Sequence, residues 1–193
     1  MIVTAKESDK ADTPVILGAY IINKLKGIRS HPYTTDMKIN PLTYGDLKTR
    51  TELHEAGQGW QHCAYAYVMH LGHQEWIFYP LRCHKAAIVA MQNVMGGLMH
   101  QPCSPSLVNA RDAIIASDAA YYNGANKCEI WKGFAKRGLG VNAADYTNDF
   151  SVPAECGSGS PPPLTTTRGP KPTSGCTRMD ICCIYVGKSC DQD

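Results

Sequence analysis

The chain is predicted to be a mainly α domain with a small N-terminal β element and a disordered or disulfide-rich tail. Three observations carry that expectation. Between about Lys48 and Phe134 apolar residues recur three and four positions apart, the spacing that lays a stripe along a helix. The β-branched and aromatic run PVILGAYIINK is confined to residues 14–24. After Cys156 the composition turns to GSGSPPPLTTTRGPKPTSG, which buries too little apolar surface to offset the entropy of ordering.

Taken in order, residues 14–24 predict a strand or hairpin that ends at a Gly27 turn. SHPYTTDMKINPLTYGD, residues 30–46, predicts loop, because prolines and turn formers punctuate it. From Lys48 to Leu71 the residues Leu53, Ala56, Trp60, Cys63, Tyr67 and Leu71 fall on one stripe, which predicts a long helix through the middle of the domain. A second helix is expected from Lys85 to Met99, with Ala87, Met91, Val94, Met95 and Leu98 inward and Gly96-Gly97 weakening its last turn. The third is expected to open with Ser104 as N-cap and Pro105 at the first helical position, and to run through Ala113, Ile114 and Ala120 to Gly124. The fourth spans Asn126 to Arg137, buries Ile130, Trp131 and Phe134, and ends in a left-handed cap at Gly138.

These elements divide the chain into a β/loop opening segment (1–46), a helical domain (47–156), a linker (157–175) and a Cys-rich tail (176–193). The tail, CTRMDICCIYVGKSCDQD, holds four cysteines in eighteen residues. It reads as a small disulfide knot, an appended module or the product of an incorrectly joined exon.

At 193 residues, 44% hydrophobic and 19% charged, the chain has room for one domain with a core and not for a second catalytic domain. The net charge is +2 and Lys and Arg are scattered among Asp and Glu, so neither a nucleic-acid nor an anionic-membrane partner is expected. The longest apolar run, Val15 to Ile22, is interrupted by Gly18 and Tyr20 and falls short of the roughly 20 residues a membrane span needs. Met1 to Lys10, MIVTAKESDK, lacks an apolar h-region, so no secretory signal is expected there. Nine cysteines without a C-x-x-C pair favour an oxidising destination, and their odd number leaves at least one unpaired or free for an intermolecular bond.

No H-E-x-x-H occurs, the spacing that sets two imidazoles and a general-base carboxylate on one helix face. The nearest approach, His54-Glu55-Ala56-Gly57-Gln58, has an amide where the second imidazole would stand, and amides are poor zinc ligands. His70 and His73, with His62 and His84 near in sequence, could form a substitute metal site, but the spacing fixes no carboxylate ligand and lone histidines beside apolar faces are ordinarily core or surface residues. There is no G-x-S-x-G, no Gly-rich phosphate loop after a strand and no Cys/His pairing specific enough for a thiol nucleophile.

Two blocks carry a family likeness: LGAYIINKLKGIRSHPYTTDMKINPLTYGDLKTRTELH (17–54) and QPCSPSLVNARDAIIASDAAYYNGANKCEIWKGFAKRGLGVNA (101–143). In this order they resemble the C-terminal part of fungalysins, secreted zinc metallopeptidases of fungi in the thermolysin-like group, and the likeness extends over most of residues 5–156. The resemblance implies the C-terminal helical domain of a thermolysin-like metallopeptidase, an extracellular setting, and a protein or peptide substrate once the fold is complete. It also implies that the H-E-x-x-H helix and a G-E-x-W motif supplying the third ligand lie ahead of the first block. Zinc is therefore the family's cofactor, none is expected to be bound by this chain alone, and the chain alone is expected to be inactive.

By the same resemblance, His54 matches a histidine that donates a hydrogen bond to the oxyanion formed in peptide hydrolysis, a contribution of about 3–4 kcal/mol in comparable sites. The alternative is a capped or solvated histidine at the edge of the apolar stripe. Arg29, in Gly27-Ile28-Arg29-Ser30, matches an arginine that lines the pocket for the residue after the scissile bond and braces the substrate carbonyl, a task its rigid fork of donors suits. Otherwise Arg29 is structural and ties the 31–46 loop to the helical domain. Glu55 reads as a first-turn carboxylate at a helix N-terminus. Cys103 and Cys128 stand where fungalysin-like sequences have cysteine, so they are the expected disulfide, closing a loop of about 25 residues for roughly 3 kcal/mol.

The sequence departs from the family in two places. Ala56-Gly57-Gln58-Gly59 replaces a branched residue and a carboxylate, and each helix glycine costs up to about 1 kcal/mol. HLGHQEWIFYPLRCH, residues 70–84, replaces a longer polar loop. Two functions stay open at this point: the C-terminal half of a secreted zinc metalloendopeptidase, or a non-catalytic binding or interaction protein derived from one.

Overall fold

The computed structural model describes residues 13–23, 27–50, 57, 63 and 85–157. Its elements are helix α1 (Ala19–Ile22), a 3-10 helix (Tyr44–Thr49), α2 (Lys85–His100), α3 (Leu107–Tyr122), α4 (Lys127–Ala135) and a 3-10 turn (Ala154–Cys156). Among the described residues the β content is three isolated bridges, so the chain is mainly helical with little strand. Of the expected linker (157–175) only Gly157 is described, and the expected tail (176–193) lies outside the described residues.

The core joins the loop segment to all three long helices: Tyr44, Leu47, Cys63, Val89, Ala90, Ile114, Ile130, Phe134, Leu139 and Ala143 pack as one cluster. α2 and α3 make the main helix pair, and its closeness comes from Gly96 and Gly97. A Cβ on Gly96 would stand 2.1 Å from Ser117 Oγ, and one on Gly97 would stand 2.7 Å from Ile114 Cγ1 and 3.2 Å from the Ile114 backbone. The expected weakening of the last turn is overruled by this packing, and α2 continues to His100.

Other expectations need correction. α3 is capped by Ser106, not Ser104. The Asn109 amide donates to Ser106 Oγ at 3.1 Å while the Ser106 amide donates back to Asn109 Oδ1 at 3.0 Å, so two orphan donors are satisfied together. Ser104 instead lies at φ 52°, and Pro105 precedes the cap. The strand expected over 14–24 is reduced to the Val15–Tyr33 bridge. Gly18 and Asn23 flank the short α1 with φ of 69° and 48°, and two such residues cannot continue an extended run. Nor does a helix start at Lys48, which belongs to the 3-10 helix; Arg50 after it is extended, with φ −98° and ψ 98°. Gly57 and Cys63 are helical, and the rest of the expected 48–71 helix lies outside the described residues.

α4 behaves as its sequence suggests. Ile130, Trp131 and Phe134 are buried, and after Ala135 the chain turns at Gly138, where φ is 86°. Asn148 closes over that turn so tightly that a Cβ on Gly138 would meet its Oδ1 at 2.3 Å. The same side chain accepts the Gly45 amide at 2.7 Å and donates to Thr43 Oγ1 at 2.9 Å, which fastens the C-terminal loop to the 3-10 helix. Covalent closure comes from Cys128–Cys156 rather than Cys103–Cys128. Cys103 is a free, exposed thiol ahead of α3, whereas the 3-10 turn brings Cys156 within 5.1 Å, Cα to Cα, of Cys128 in the first turn of α4.

Candidate functional site

Arg29 is placed by a folded-back segment. Val15 and Tyr33 exchange both backbone hydrogen bonds, at 2.7 and 2.9 Å, and the Ile28 amide donates to Leu17 O at 3.0 Å. Between them Gly27 takes φ 73°, where a Cβ would meet Leu17 O at 2.4 Å, so only glycine lets the chain turn there toward Arg29. Arg29 is half-buried, and its Nε is buried without a hydrogen-bond partner among the described residues. Because that Nε is itself shielded from solvent, an incoming acceptor can reach only the exposed part of the Arg29 side chain.

The loop beyond it is rigid for reasons the residues make plain. Asn40 Nδ2 donates to Pro32 O at 2.8 Å, and Asn40 Oδ1 accepts the Leu42 amide at 3.1 Å. Arg137, fully buried, donates to the carbonyls of Asn40 at 2.6 Å, Leu42 at 3.0 Å and Thr34. Arg137 thus ties this loop to the helical domain. Cys63 lies in the same core, where burial pushes its thiol up to about 12 against the opposing pull of the Arg137 charge.

Two further charged groups organise the helices. Asp118, with no exposure, accepts from Asn93 Nδ2 at 3.0 Å, from Asn126 Nδ2 at 2.8 Å and from the Asn126 amide at 3.0 Å. It thus joins α2 and α3 to the start of α4. Arg111 donates to Leu139 O at 3.2 Å and to Gly140 O, pairs with Asp112 at 2.7 Å, and lies 4.6 Å above the Trp131 ring. Sequence reasoning missed Arg111, Asp118 and Arg137. For the first two a signal existed: they sit three before and four after Ile114, on the buried stripe of α3, where a charge must have a partner.

His54, Glu55, His62, His70, His73 and His84 lie outside the described residues. Among the described residues no group of three His, Cys, Asp or Glu side chains could hold a metal ion, and these residues do not fit a zinc centre. Nor is any described helix long and apolar enough to cross a membrane.

The model of the fungalysin metallopeptidases matches residues 1–143. The chain belongs to the fungalysin family. Its curated relatives agree: it is 41% identical over 165 residues to the probable extracellular metalloproteinase 1 of Arthroderma benhamiae, covering 80% of this chain and 26% of that protein. With the extracellular metalloproteinase mep of Aspergillus terreus the identity is 42% over 152 residues, 74% of this chain and 24% of the relative. With the extracellular metalloproteinase 2 of Arthroderma otae it is 37% over 161 residues, 78% and 26% respectively. This fungalysin chain therefore spans about a quarter of the length of the curated relatives it matches.

Proposed function

We propose that the chain forms the substrate-binding wall of an extracellular zinc metalloendopeptidase that cleaves protein outside the cell. The observation that carries this reading is the fungalysin match over residues 1–143 together with Arg29, half-buried and with Nε unpaired, at the turn fixed by Gly27. In this role the Arg29 guanidinium braces the carbonyl of the bound peptide beside the scissile bond. His54 directs an imidazole N–H at the oxyanion that develops on the scissile carbonyl, where a preorganised donor lowers the barrier more than it stabilises bound substrate. The pinned 32–42 loop keeps the wall rigid, so little reorganisation is needed when substrate arrives.

Zinc, which membership of the family implies, is assigned to the part of the peptidase that the relatives carry beyond the matched quarter. The chain by itself is then inactive. Assaying the purified chain on a fluorogenic peptide with added zinc tests this point, and turnover abolished by a chelator would overturn it. A positive test is a chimera in which residues 1–143 replace the matched segment of the Aspergillus terreus enzyme. Chelator-sensitive hydrolysis by the chimera supports the reading, and a folded, secreted chimera without activity refutes it.

A further inference from the structure

The residues that end α3 carry a chemistry of their own. Asn123-Gly124 follows Tyr122 directly, and Asn123 is the one asparagine of the chain that a glycine follows. In such a pair the glycine nitrogen, once it has lost its proton to hydroxide, attacks the side-chain amide carbon of the asparagine. A C–N bond forms, the side-chain nitrogen leaves as ammonia, and the product is a succinimide ring. Water then opens the ring at either carbonyl to give aspartate or isoaspartate, so the net change is water taken up and ammonia released. Glycine favours ring closure because it has no Cβ to crowd the attacking nitrogen. Space is also present here: Asn123 is exposed, and a Cβ on Gly124 would meet nothing within 4 Å.

The backbone opposes the reaction. Asn123 is the left-handed C-cap of α3, with φ 53° and ψ 31°, and Gly124 continues the turn at φ 73°. In an L-residue with that ψ the next nitrogen and the Cβ point to opposite sides of the Cα–C bond, whereas the ring needs them on the same side. Rotation is resisted because the Asn123 and Gly124 amides both donate to Asp118 O, the second at 3.2 Å. The turn beyond is held as well. The Lys127 amide donates to Gly124 O at 3.1 Å, and Asn126 grips the buried Asp118 carboxylate through its amide at 3.0 Å and its Nδ2 at 2.8 Å.

We propose that Asn123 is a spontaneous deamidation site whose rate is set by the α3 C-cap: the closed cap holds it unreactive, and each opening frees it to react. The products do not rebuild the same cap. Aspartate sets a negative charge at the negative end of α3. Isoaspartate routes the main chain through one more carbon, so the two amides no longer both reach Asp118 O. Asp118 also holds Asn93 of α2 and Asn126 ahead of α4, and deamidation therefore loosens the junction of three helices.

Incubating the full 193-residue chain at mildly alkaline pH, in buffer and in unfolding guanidinium chloride, tests the site when conversion is followed by peptide mapping. Asn123 is expected to convert about tenfold or more slowly in buffer than in denaturant, because the cap must open first. In denaturant it should also outpace Asn142, which is exposed in the fold but precedes an alanine. Asn126→Ala removes a bond over the cap without altering the reacting pair, so it should speed conversion several-fold in buffer and leave the denatured rate unchanged. Equal rates in buffer and denaturant, or no conversion of Asn123 in denaturant, overturn the proposal. A folded Asn126→Ala chain that converts no faster than the unaltered one overturns control by the cap. If Asn126→Ala does not fold, the two rates of the unaltered chain decide alone.

Discussion

The guanidinium of Arg137 donates to the carbonyl oxygen of Asn40, 2.6 Å away in space and 97 positions earlier in the chain. With its bonds to Leu42 and Thr34, it holds three carbonyls of one loop from the end of α4. Arg137→Ala leaves these acceptors buried without a donor, and each such loss costs about 1–3 kcal/mol, so a destabilisation on the order of 3 kcal/mol or more is expected. Arg137→Lys keeps the charge without the planar fork and should recover less than half of it. Urea denaturation of the three chains measures both values.

The Cys128–Cys156 bridge spans a sequence separation of 28 and contributes roughly 3–4 kcal/mol in the chain-entropy model. Cys128→Ser/Cys156→Ser should lower the thermal midpoint accordingly, while Cys103→Ser should leave it within experimental scatter. Native alkylation is expected to label Cys103, and a non-reducing peptide map to link Cys128 with Cys156. A Cys103–Cys128 peptide would refute the assignment.

Gly97→Ala sets two effects against each other. Alanine gains about 1 kcal/mol of helix propensity, but its Cβ enters a contact 2.7 Å from Ile114 Cγ1 and 3.2 Å from the Ile114 backbone. Because backbone cannot yield as a side-chain tip can, overpacking of about 1–3 kcal/mol should win, and the expected sign is destabilising. Calorimetric midpoints of the glycine and alanine forms decide it.

These cases show what was legible in the sequence. The presence of α2 and α4 was, and in α4 the stripe of Ile130, Trp131 and Phe134 reports burial directly. The face of α2 was not, since Met95 and Leu98, expected inward, are 50% and 56% exposed. Val89, Ala90, Asn93, Gly96 and Gly97 are the buried positions, because the two glycines admit α3 on that side. The family was legible from the two long blocks. The helix start at Ser106 was not, since Ser104-Pro105 offers an equally good local signal and only the reciprocal bonds with Asn109 separate them. Arg137 was invisible because its partners are backbone carbonyls about a hundred positions away, and carbonyls leave no mark in a sequence. The disulfide was hidden for a related reason: Cys103 and Cys156 lie at comparable distances along the chain from Cys128, and only the course of the 139–156 segment selects one. Of the two candidate site residues, Arg29 stands half-buried just after the Gly27 turn and His54 lies outside the described residues.

Asp149 should make the C-terminal loop sensitive to acid. The Ser151 hydroxyl and then the Asn142 amide, bonded to its Oδ2, hold the carboxyl below its ordinary value of 3.8. A carboxyl depressed in the fold stabilises it above the unfolded pKa, and that contribution is lost as pH falls below 3.8 toward the folded value. Divided by the intrinsic rate at each pH, amide exchange at Gly140 and Asn142 is expected to accelerate over that window, and Asp149→Asn should remove that change. A rate profile that Asp149→Asn does not alter would assign it to another group.

In the active chimera, His54→Ala should lower kcat by about 100- to 1000-fold with little change in KM, the mark of a donor used mainly in the transition state. Arg29→Ala should raise KM as well, because it removes a contact made to bound substrate. Steady-state kinetics on a peptide series separates the two patterns.

The burial of Cys63 matters for how a chain with an odd number of cysteines is handled in an oxidising folding environment. A thiol shielded by packing and reluctant to ionise is a poor nucleophile for exchange. Once the core has closed, Cys63 is effectively removed from disulfide shuffling, which leaves eight of the nine cysteines to sort among themselves. Among the described residues the thiol that stays open to exchange with a neighbouring molecule is therefore the exposed Cys103, not Cys63.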